Sequence, residues 1–264
     1  MIQEQATVLW NRSKGPGYFS MGLSCSGYTT AAPGQFVMVR VSHQDAPLLR
    51  RPLSIHRPLF KEGRIIGIEL LYKVVGTGTA LLADTPEGAA LDVLGPIGNG
   101  FSIPTDCRTA YLVGGGIGVP PLVFLATVLK KAGMDMSGCR MFLGGRSRDD
   151  LLCGEDFEAL GMPVQRTTDD GSAGDQCLVT HPLEISTVSS PPDIIYACGP
   201  LPMLACVVGI SDKYNIPCQV SIESMMACGM GACLGCAVEK RGDSGSYWHV
   251  CKDGPVFDAK RLVL

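Results

Sequence analysis

Four cysteines near one end of this 264-residue chain, Cys228, Cys233, Cys236 and Cys251, have the spacing C-x4-C-x2-C-x14-C. Three thiols on one tight loop, with a fourth arriving from further along the chain, can hold iron and sulfide, and C-x4-C-x2-C…C is the plant-type 2Fe-2S pattern. Glycines at 229, 231 and 235 let the loop wrap closely and turn backbone N–H groups towards the sulfurs, which favours their negative charge. Two other readings stay open on spacing alone. One is a structural zinc site with four cysteine ligands, for which paired C-x2-C knuckles are the usual arrangement; the other is a set of buried, unpaired cysteines. A 2Fe-2S cluster carries one electron at a time, so it implies a donor and an acceptor rather than a bond-making centre.

Other residues suit nucleotides. Gly114-Gly115-Gly116-Ile117-Gly118 follows an apolar run and precedes a helix that opens at Pro120 or Pro121. In that context backbone N–H groups and a helix N-terminus meet a phosphate. The glycines do not form a true G-x-G-x-x-G, and a plain strand-to-helix turn would use them equally. Cys198-Gly199-Pro200 closes another apolar strand, and ligands of open parallel sheets gather beyond such carboxyl ends. Cys198 is a candidate neighbour of a nicotinamide, or simply a small residue at a crowded turn. A third set combines Arg51-Pro52-Leu53-Ser54, Leu71-Tyr72-Lys73 and Gly76-Thr77-Gly78-Thr79. Arginine can hold a diphosphate bidentately, a hydroxyl can reach a ring nitrogen, and a Gly-Thr turn offers N–H and O–H donors. Each piece alone is also an ordinary strand end or turn.

The elements that must position these residues fall into three units, 1–104, 105–220 and 221–264. The first reads as short strands, such as 35–41 and 64–75, with turns at Ala32-Pro33-Gly34, Lys61-Glu62-Gly63 and Leu94–Gly100 and one short helix near Gly78–Ala83. That pattern predicts a small antiparallel β-barrel. The second alternates strands (109–115, 139–145, near 163–167, 193–199) with helices (120–133, near 149–160, near 202–214), which predicts an α/β parallel sheet covered on both faces. The third is the short cysteine-bearing segment, which depends on its metal and on packing against the other two. The fold class is thus multi-domain α+β: barrel, α/β nucleotide domain and small cluster domain.

Composition narrows the alternatives. With 46% hydrophobic residues and a formal net charge of −3, the chain has material for about two cores and no positive field for nucleic acid. Twelve cysteines in a chain without a secretion-type N-terminal segment predict reduced thiols and a cytoplasmic location. The uncharged stretch 109–129 has the length of a membrane span, but glycines and prolines divide it, so none is expected.

RPLS at 51–54, the GTGT turn at 76–79, LGPIGNGF at 94–101, GGGIG at 114–118, CGP at 198–200 and ESMMACGMGACLGC at 223–236 together resemble the ferredoxin-NAD(P) reductase superfamily. Within it, the order of units is similar to that of type B dihydroorotate dehydrogenase electron-transfer subunits. The resemblance implies FAD in the barrel cleft, NAD on the second unit, and a 2Fe-2S cluster facing an FMN-containing dihydroorotate dehydrogenase catalytic subunit, in a heterotetramer with two of each chain. It assigns Arg51 to the FAD pyrophosphate and Ser54 to the neighbourhood of flavin N5. Pro52 and Leu53 complete that motif, Leu71, Tyr72 and Lys73 form a second flavin contact, Gly78 and Thr79 a phosphate-binding turn, and Cys228, Cys233, Cys236 and Cys251 the cluster ligands. Many relatives carry an aromatic residue where this chain has Leu53, which leaves Tyr72 the nearest candidate to stack on the flavin.

The combination has a chemical logic. Nicotinamide exchanges two electrons as hydride and the cluster one, and flavin can hold one electron between the two. The expected function is electron transfer from dihydroorotate oxidation on the partner, through the cluster and FAD, to NAD+, in pyrimidine biosynthesis. No acid–base catalytic set is evident, since His43, His56, His181 and His249 have no partner spacing. Glu223 either approaches the flavin or serves a capping or surface role, and Met225, Met226 and Met230 are either packing or an adaptable interface. Arg146 and Arg148 would suit a 2'-phosphate, Asp169 and Asp170 free ribose hydroxyls, and the resemblance favours NAD. The alternatives are the flavin and 2Fe-2S subunit of an NAD(P)H-ferredoxin or sulfide-type oxidoreductase, against which the intact Cys228 counts, and a zinc-bearing interaction module without enzymatic activity.

Overall fold

The computed structural model describes residues 1–42 and 46–264, so His43 lies outside the described residues. Strands β1 (Ile2–Gly15), β2 (Tyr18–Ser24), β3 (Phe36–Arg40), β4 (Arg51–Lys61), β5 (Arg64–Lys73) and β6 (Ala90–Ile97) close into a barrel in the order β1-β2-β5-β4-β3-β6. Every neighbouring pair is antiparallel. Glu62 and Gly63, both at positive φ (51° and 77°), make the tight β4–β5 hairpin in the conformation such two-residue loops require. The run 94–100 is only partly a turn, because β6 continues to Ile97 and the chain first turns at Gly98. A seven-residue helix, α1 (Thr77–Ala83), follows β5.

The second sheet contains β7 (Ala110–Gly115), β8 (Arg140–Gly145), β9 (Val164–Thr168), β10 (Ile194–Cys198) and β11 (Cys218–Ser221), mutually parallel. Helices α2 (Pro120–Lys131), α3 (Gly154–Ala159), α4 (Thr180–Ser189) and α5 (Leu201–Tyr214) connect them. Pro120 and Pro121 occupy the first turn of α2, where a missing N–H costs nothing, and Lys130 and Lys131 lie in its last turn, where cations suit the helix dipole. The helix expected over 149–160 is instead a 3-10 turn, Arg148–Asp150, followed by α3. Cys153 between them is left-handed (φ 61°), a conformation no helix can pass through. The stretch 109–129 is divided into β7, a 3-10 turn at Gly116–Gly118 and α2, and no described helix is long and apolar enough to cross a membrane.

The C-terminal segment forms β12 (Ala237–Glu239), β13 (Tyr247–His249), α6 (Val250–Asp253) and β14 (Val256–Asp258). β12 and β13 pair with each other, whereas β14 adds antiparallel to β11, giving the sheet order β14-β11-β10-β7-β8-β9.

Side-chain alternation along the strands builds the cores. On β10, Ile194, Tyr196 and Cys198 face the α2 side with Leu122 and Leu125, while Ile195 and Ala197 face the opposite side with Leu204 and Val207 of α5. On β3, Val37 and Val39 point into the barrel with Ile55 and Leu70. Phe36 and Met38 point outwards and join the α5-side core, which also contains Cys236, Val250 and Cys251.

Candidate functional site

Two adjoining cavities lie where the barrel meets the second sheet, about 310 and 580 Å3 in volume, sharing Lys73, Ile117 and Glu223 in their walls. Arg51, Pro52, Leu53, Ser54, Leu71, Tyr72, Lys73 and Thr79 all line the smaller one. Strand pairing sets their order, because Arg51–Ser54 at the start of β4 lies in register opposite Val39–Phe36 of β3. The Arg51 guanidinium lies directly on Gly78: a Cβ there would sit 2.5 Å from its Nε, so this cradle accepts only glycine while Arg51 keeps its place. Thr79 is buried and its hydroxyl is committed to the turn, accepting from the N–H groups of Val75 (2.9 Å) and Gly76 (3.2 Å). It shapes the loop from within.

Tyr72 is also committed. Its ring stacks on Phe19 at 5.8 Å, its hydroxyl donates to Asn11 Oδ1 (3.0 Å), and burial pushes its pKa up to about 12. Asn11 in turn donates to the carbonyls of Leu82, Ala83 and Thr85, fixing the end of α1 to the barrel. Lys73 reaches across to the second unit, donating to Tyr18 Oη (2.7 Å) and to Asp150 Oδ1 (3.0 Å), and Tyr18 also donates to Asp150. Partial burial works against the Asp150 carboxylate, but the hydrogen bonds from Tyr18 and Lys73 outweigh it and hold the carboxyl below its usual range. Tyr18 and Asp150 belong to the site, yet no local pattern marks them. They meet only because the two units dock.

The larger cavity is lined by Gly115, Gly116, Gly118, Gly199 and Pro200, so the two loops at the carboxyl ends of β7 and β10 come together. They touch backbone to backbone: a Cβ on Gly118 would lie 2.4 Å from the Cys198 carbonyl oxygen. Gly114 lines neither cavity and packs under Met141 and Val119 instead. Cys198 lines the smaller cavity rather than the larger; its thiol is buried, and desolvation pushes its pKa up to about 12. Arg146 and Asp169 face the larger cavity. Arg148 is held by the Ser172 carbonyl and Asp170 by the Ser172 N–H. Glu223 stands on the rim common to both cavities. Solvent reaches it, but the surrounding protein still raises its carboxyl pKa.

Among the cysteines, Cys236 and Cys251 are buried with their sulfurs 3.4 Å apart, while Cys228 is half-buried and Cys233 exposed. Backbone donors surround them as the glycine-rich loop suggests. Gly231 N–H points at Cys251 Sγ (3.1 Å), and the N–H groups of Met230 and Cys233 point at Cys228 Sγ (3.4 Å each). Burial opposes ionisation of Cys228, but these donors outweigh it and bring the thiol down to about 6. Burial and the adjacent Cys236 push Cys251 up to about 12. No three of the four sulfurs lie within 4.8 Å of one another among the described residues. Thiolates about 2.3 Å from one zinc ion would form a tetrahedron with edges of only ~3.8 Å. Four thiol side chains, with backbone N–H groups aimed at the sulfurs of Cys228, Cys236 and Cys251, fit an anionic iron–sulfur cluster. Met225, Met230 and Leu234 are exposed beside this loop, whereas Met226 is part of the core.

Of the described histidines, His181 is exposed and His249 neighbours Asp253. His56 is buried beside Cys153 and Asp156; desolvation brings its pKa down to about 4, so the imidazole is neutral at pH 7.

An antiparallel barrel and a parallel sheet that meet at paired cavities define a ferredoxin-reductase-like oxidoreductase. The same architecture occurs in a ferredoxin NADP+ reductase from Neisseria gonorrhoeae (TM-score 0.66, 13% identity, 81% of this chain and 92% of that one). It also occurs in a chain of the NADH-dependent reduced ferredoxin-NADP oxidoreductase (TM-score 0.83, 28% identity, 98% and 90%). Residues 112–209 match the oxidoreductase NAD-binding domain, and residues 223–263 match the iron-sulfur cluster binding domain of dihydroorotate dehydrogenase B. The chain belongs to the family of dihydroorotate dehydrogenase B electron transfer subunits. It is 43% identical over 236 residues to the Geobacillus kaustophilus subunit of that name, covering 88% of this chain and 87% of the relative. With the subunit from Caldanaerobacter subterraneus it is 40% identical over 262 residues, 98% of each chain.

Proposed function

We propose that the chain links an FMN-containing dihydroorotate dehydrogenase catalytic subunit to NAD+, as the electron transfer subunit of a cytoplasmic complex with two copies of each chain that oxidises dihydroorotate to orotate. The observation that carries this reading is near full-length identity with subunits of that name, combined with two adjoining cavities and a four-cysteine loop in one chain. Bound FAD and a 2Fe-2S cluster supply the exchange between a hydride and single electrons.

The chain's own residues position these groups. Arg51, seated on Gly78, presents a charged fork for a diphosphate, and Pro52, Leu53, Ser54 and Leu71 form the adjoining wall for a flavin. Tyr72, stacked on Phe19, keeps that wall rigid. Gly115, Gly116, Gly118 and Gly199 offer a side-chain-free floor to NAD, with the Pro200 ring at its edge and Gly114 and Cys198 packed beneath or beside it. Lys73, Tyr18 and Asp150 tie the two halves of the cleft together. Cys228, Cys233, Cys236 and Cys251 are the cluster ligands. Exposed Met225, Met230 and Leu234 provide an apolar rim for the catalytic subunit.

A ferredoxin-directed role has support from the 28% identical structural neighbour, but the dihydroorotate dehydrogenase B subunits are closer in sequence. The deciding experiment follows NADH-dependent reduction of the purified flavoprotein with and without an FMN-containing dihydroorotate dehydrogenase subunit. Co-purification and dihydroorotate-dependent NADH formation support the assignment. Preferential reduction of ferredoxin, with no affinity for that subunit, overturns it.

A further inference from the structure

Phe36 and Met38 stand on the outer face of β3, and the cysteine loop comes down on one of them. Phe36 lines the smaller cavity, while Met38 is fully buried behind that wall, its backbone paired with Pro52. Gly229, the residue after Cys228, lies over the Met38 side chain: a Cβ there would sit 2.5 Å from Met38 Cγ, 3.0 Å from Sδ and 3.3 Å from Cε. The bare backbone of one glycine thus rests on the whole thioether. Gly229 is buried and left-handed (φ 69°), and it starts the curve that brings the N–H groups of Met230 and Cys233 to Cys228 Sγ (3.4 Å each).

The same ligand has the shortest covalent connection to the cavity. Met226 lines the smaller cavity, shares the core of Met38, and lies two residues before Cys228. For Cys251 the next residue in that wall along the chain is Pro255, four residues on, and Cys233 and Cys236 are further still.

We propose that Met38 is a positioning residue for electron transfer: by seating Gly229 it fixes Cys228 against the flavin cavity, and single electrons pass between FAD and the cluster at that ligand. The inference rests on the electron-transfer role proposed above. Electron passage falls steeply with separation, and a close-packed wall of Phe36, Met38 and Met226 sets that separation without mobile water. An unbranched thioether fills the irregular gap beneath a bare backbone well. In the step itself one electron leaves reduced flavin and enters the oxidised cluster, and no bond of the chain forms or breaks. NADH supplies the electrons as hydride.

The test mixes full-length protein, loaded with FAD and iron, with NADH and no partner subunit. Flavin bleaching reports hydride transfer, and freeze-quenched electron paramagnetic resonance reports the electron reaching the cluster. Met38→Ala removes the seat. Gly229→Ala lifts the loop by about 1 Å, because relaxed carbon–carbon contacts are about 3.5–4.0 Å. Both should bleach flavin with the wild-type rate and NADH affinity, while the cluster signal appears about 10- to 100-fold more slowly. Gly229→Ala should also lower the cluster's reduction potential, because lifting the loop weakens the N–H contacts to Cys228. Met38→Leu, of similar volume, should recover most of the rate. If Met38→Ala fails to retain iron, Gly229→Ala decides. A cluster signal at the wild-type rate in the iron-loaded variants, flavin bleaching slowed to the same extent, or iron lost from both variants overturns the role of Met38. Wild-type protein in which NADH reduces FAD but never the cluster refutes the electron-transfer role, and this inference with it.

Discussion

Replacing Gly118 by alanine tests the pairing of the two nucleotide loops. The new Cβ would lie 2.4 Å from the Cys198 carbonyl oxygen and 2.7 Å from Gly199 Cα, both backbone atoms that cannot rotate aside. A relaxed carbon–oxygen contact is about 3.3 Å, so the loops must part by roughly 0.9 Å or carry about 1–3 kcal/mol of overpacking strain. Gly115, Gly118 and Gly199 line the larger cavity, so parting them displaces its floor. Displacements near 1 Å can cost about 100-fold in rate. Rapid mixing with NADH, monitored by flavin bleaching across a concentration series, should show a 10- to 100-fold loss in reduction rate or affinity, with flavin and cluster absorbance unchanged. Gly209→Ala on α5 is the control, because its Cβ would meet nothing within 4 Å. It should add about 0.5–1 kcal/mol of stability and leave NADH reduction untouched. Wild-type kinetics in Gly118→Ala would refute the contact between the loops as a determinant of the NAD site.

Three further outcomes are expected. Gly78→Ala displaces the Arg51 guanidinium, and losing its charge-assisted contacts should weaken FAD retention about 10- to 100-fold in a flavin-release assay. Cys233→Ser should remove the cluster's visible bands and iron while NADH still reduces bound FAD; an unaltered spectrum would remove Cys233 from the ligand set. Asp150 has a folded pKa below its unfolded value of about 3.9, so its contribution is complete above that pH and is lost as the pH falls through the depressed value. Because the pair is partly exposed, Asp150→Asn should lower the thermal midpoint by only about 1–3 °C at pH 7, and the difference should close once the pH falls below the depressed value.

Local patterns marked β7, α2, β8 and β10 well, because a buried parallel strand followed by a proline-opened helix is written in consecutive residues. The cysteine spacing and the Arg51–Ser54 segment were legible for the same reason. What escaped is non-local or locally ambiguous. Leu94–Gly100 has the composition of a turn, but pairing with β1 and β3 extends β6 through Ile97. In α4 the apolar stripe is weak, and its Ser- and Thr-rich end reads as loop. Cys153 breaks the helix expected over 149–160 by its left-handed backbone, which no propensity signals. The contacts of Lys73 with Tyr18 and Asp150, and the addition of β14 to β11, join residues far apart in the chain. Only the assembled fold shows that Thr79 spends its hydroxyl on its own turn and Tyr72 spends its on the barrel.

The core that contains Cys236 and Cys251 also contains Phe36 and Met38 from the outside of the barrel and Leu204 and Val207 from α5. It therefore closes last, after strands made early in synthesis have presented one wall and β11 has presented an edge for β14. A chain starved of iron would emerge with those walls built and their cover loose, showing apolar surface of the kind chaperones and proteases bind. Iron supply would then set how many copies survive, as well as how many conduct electrons.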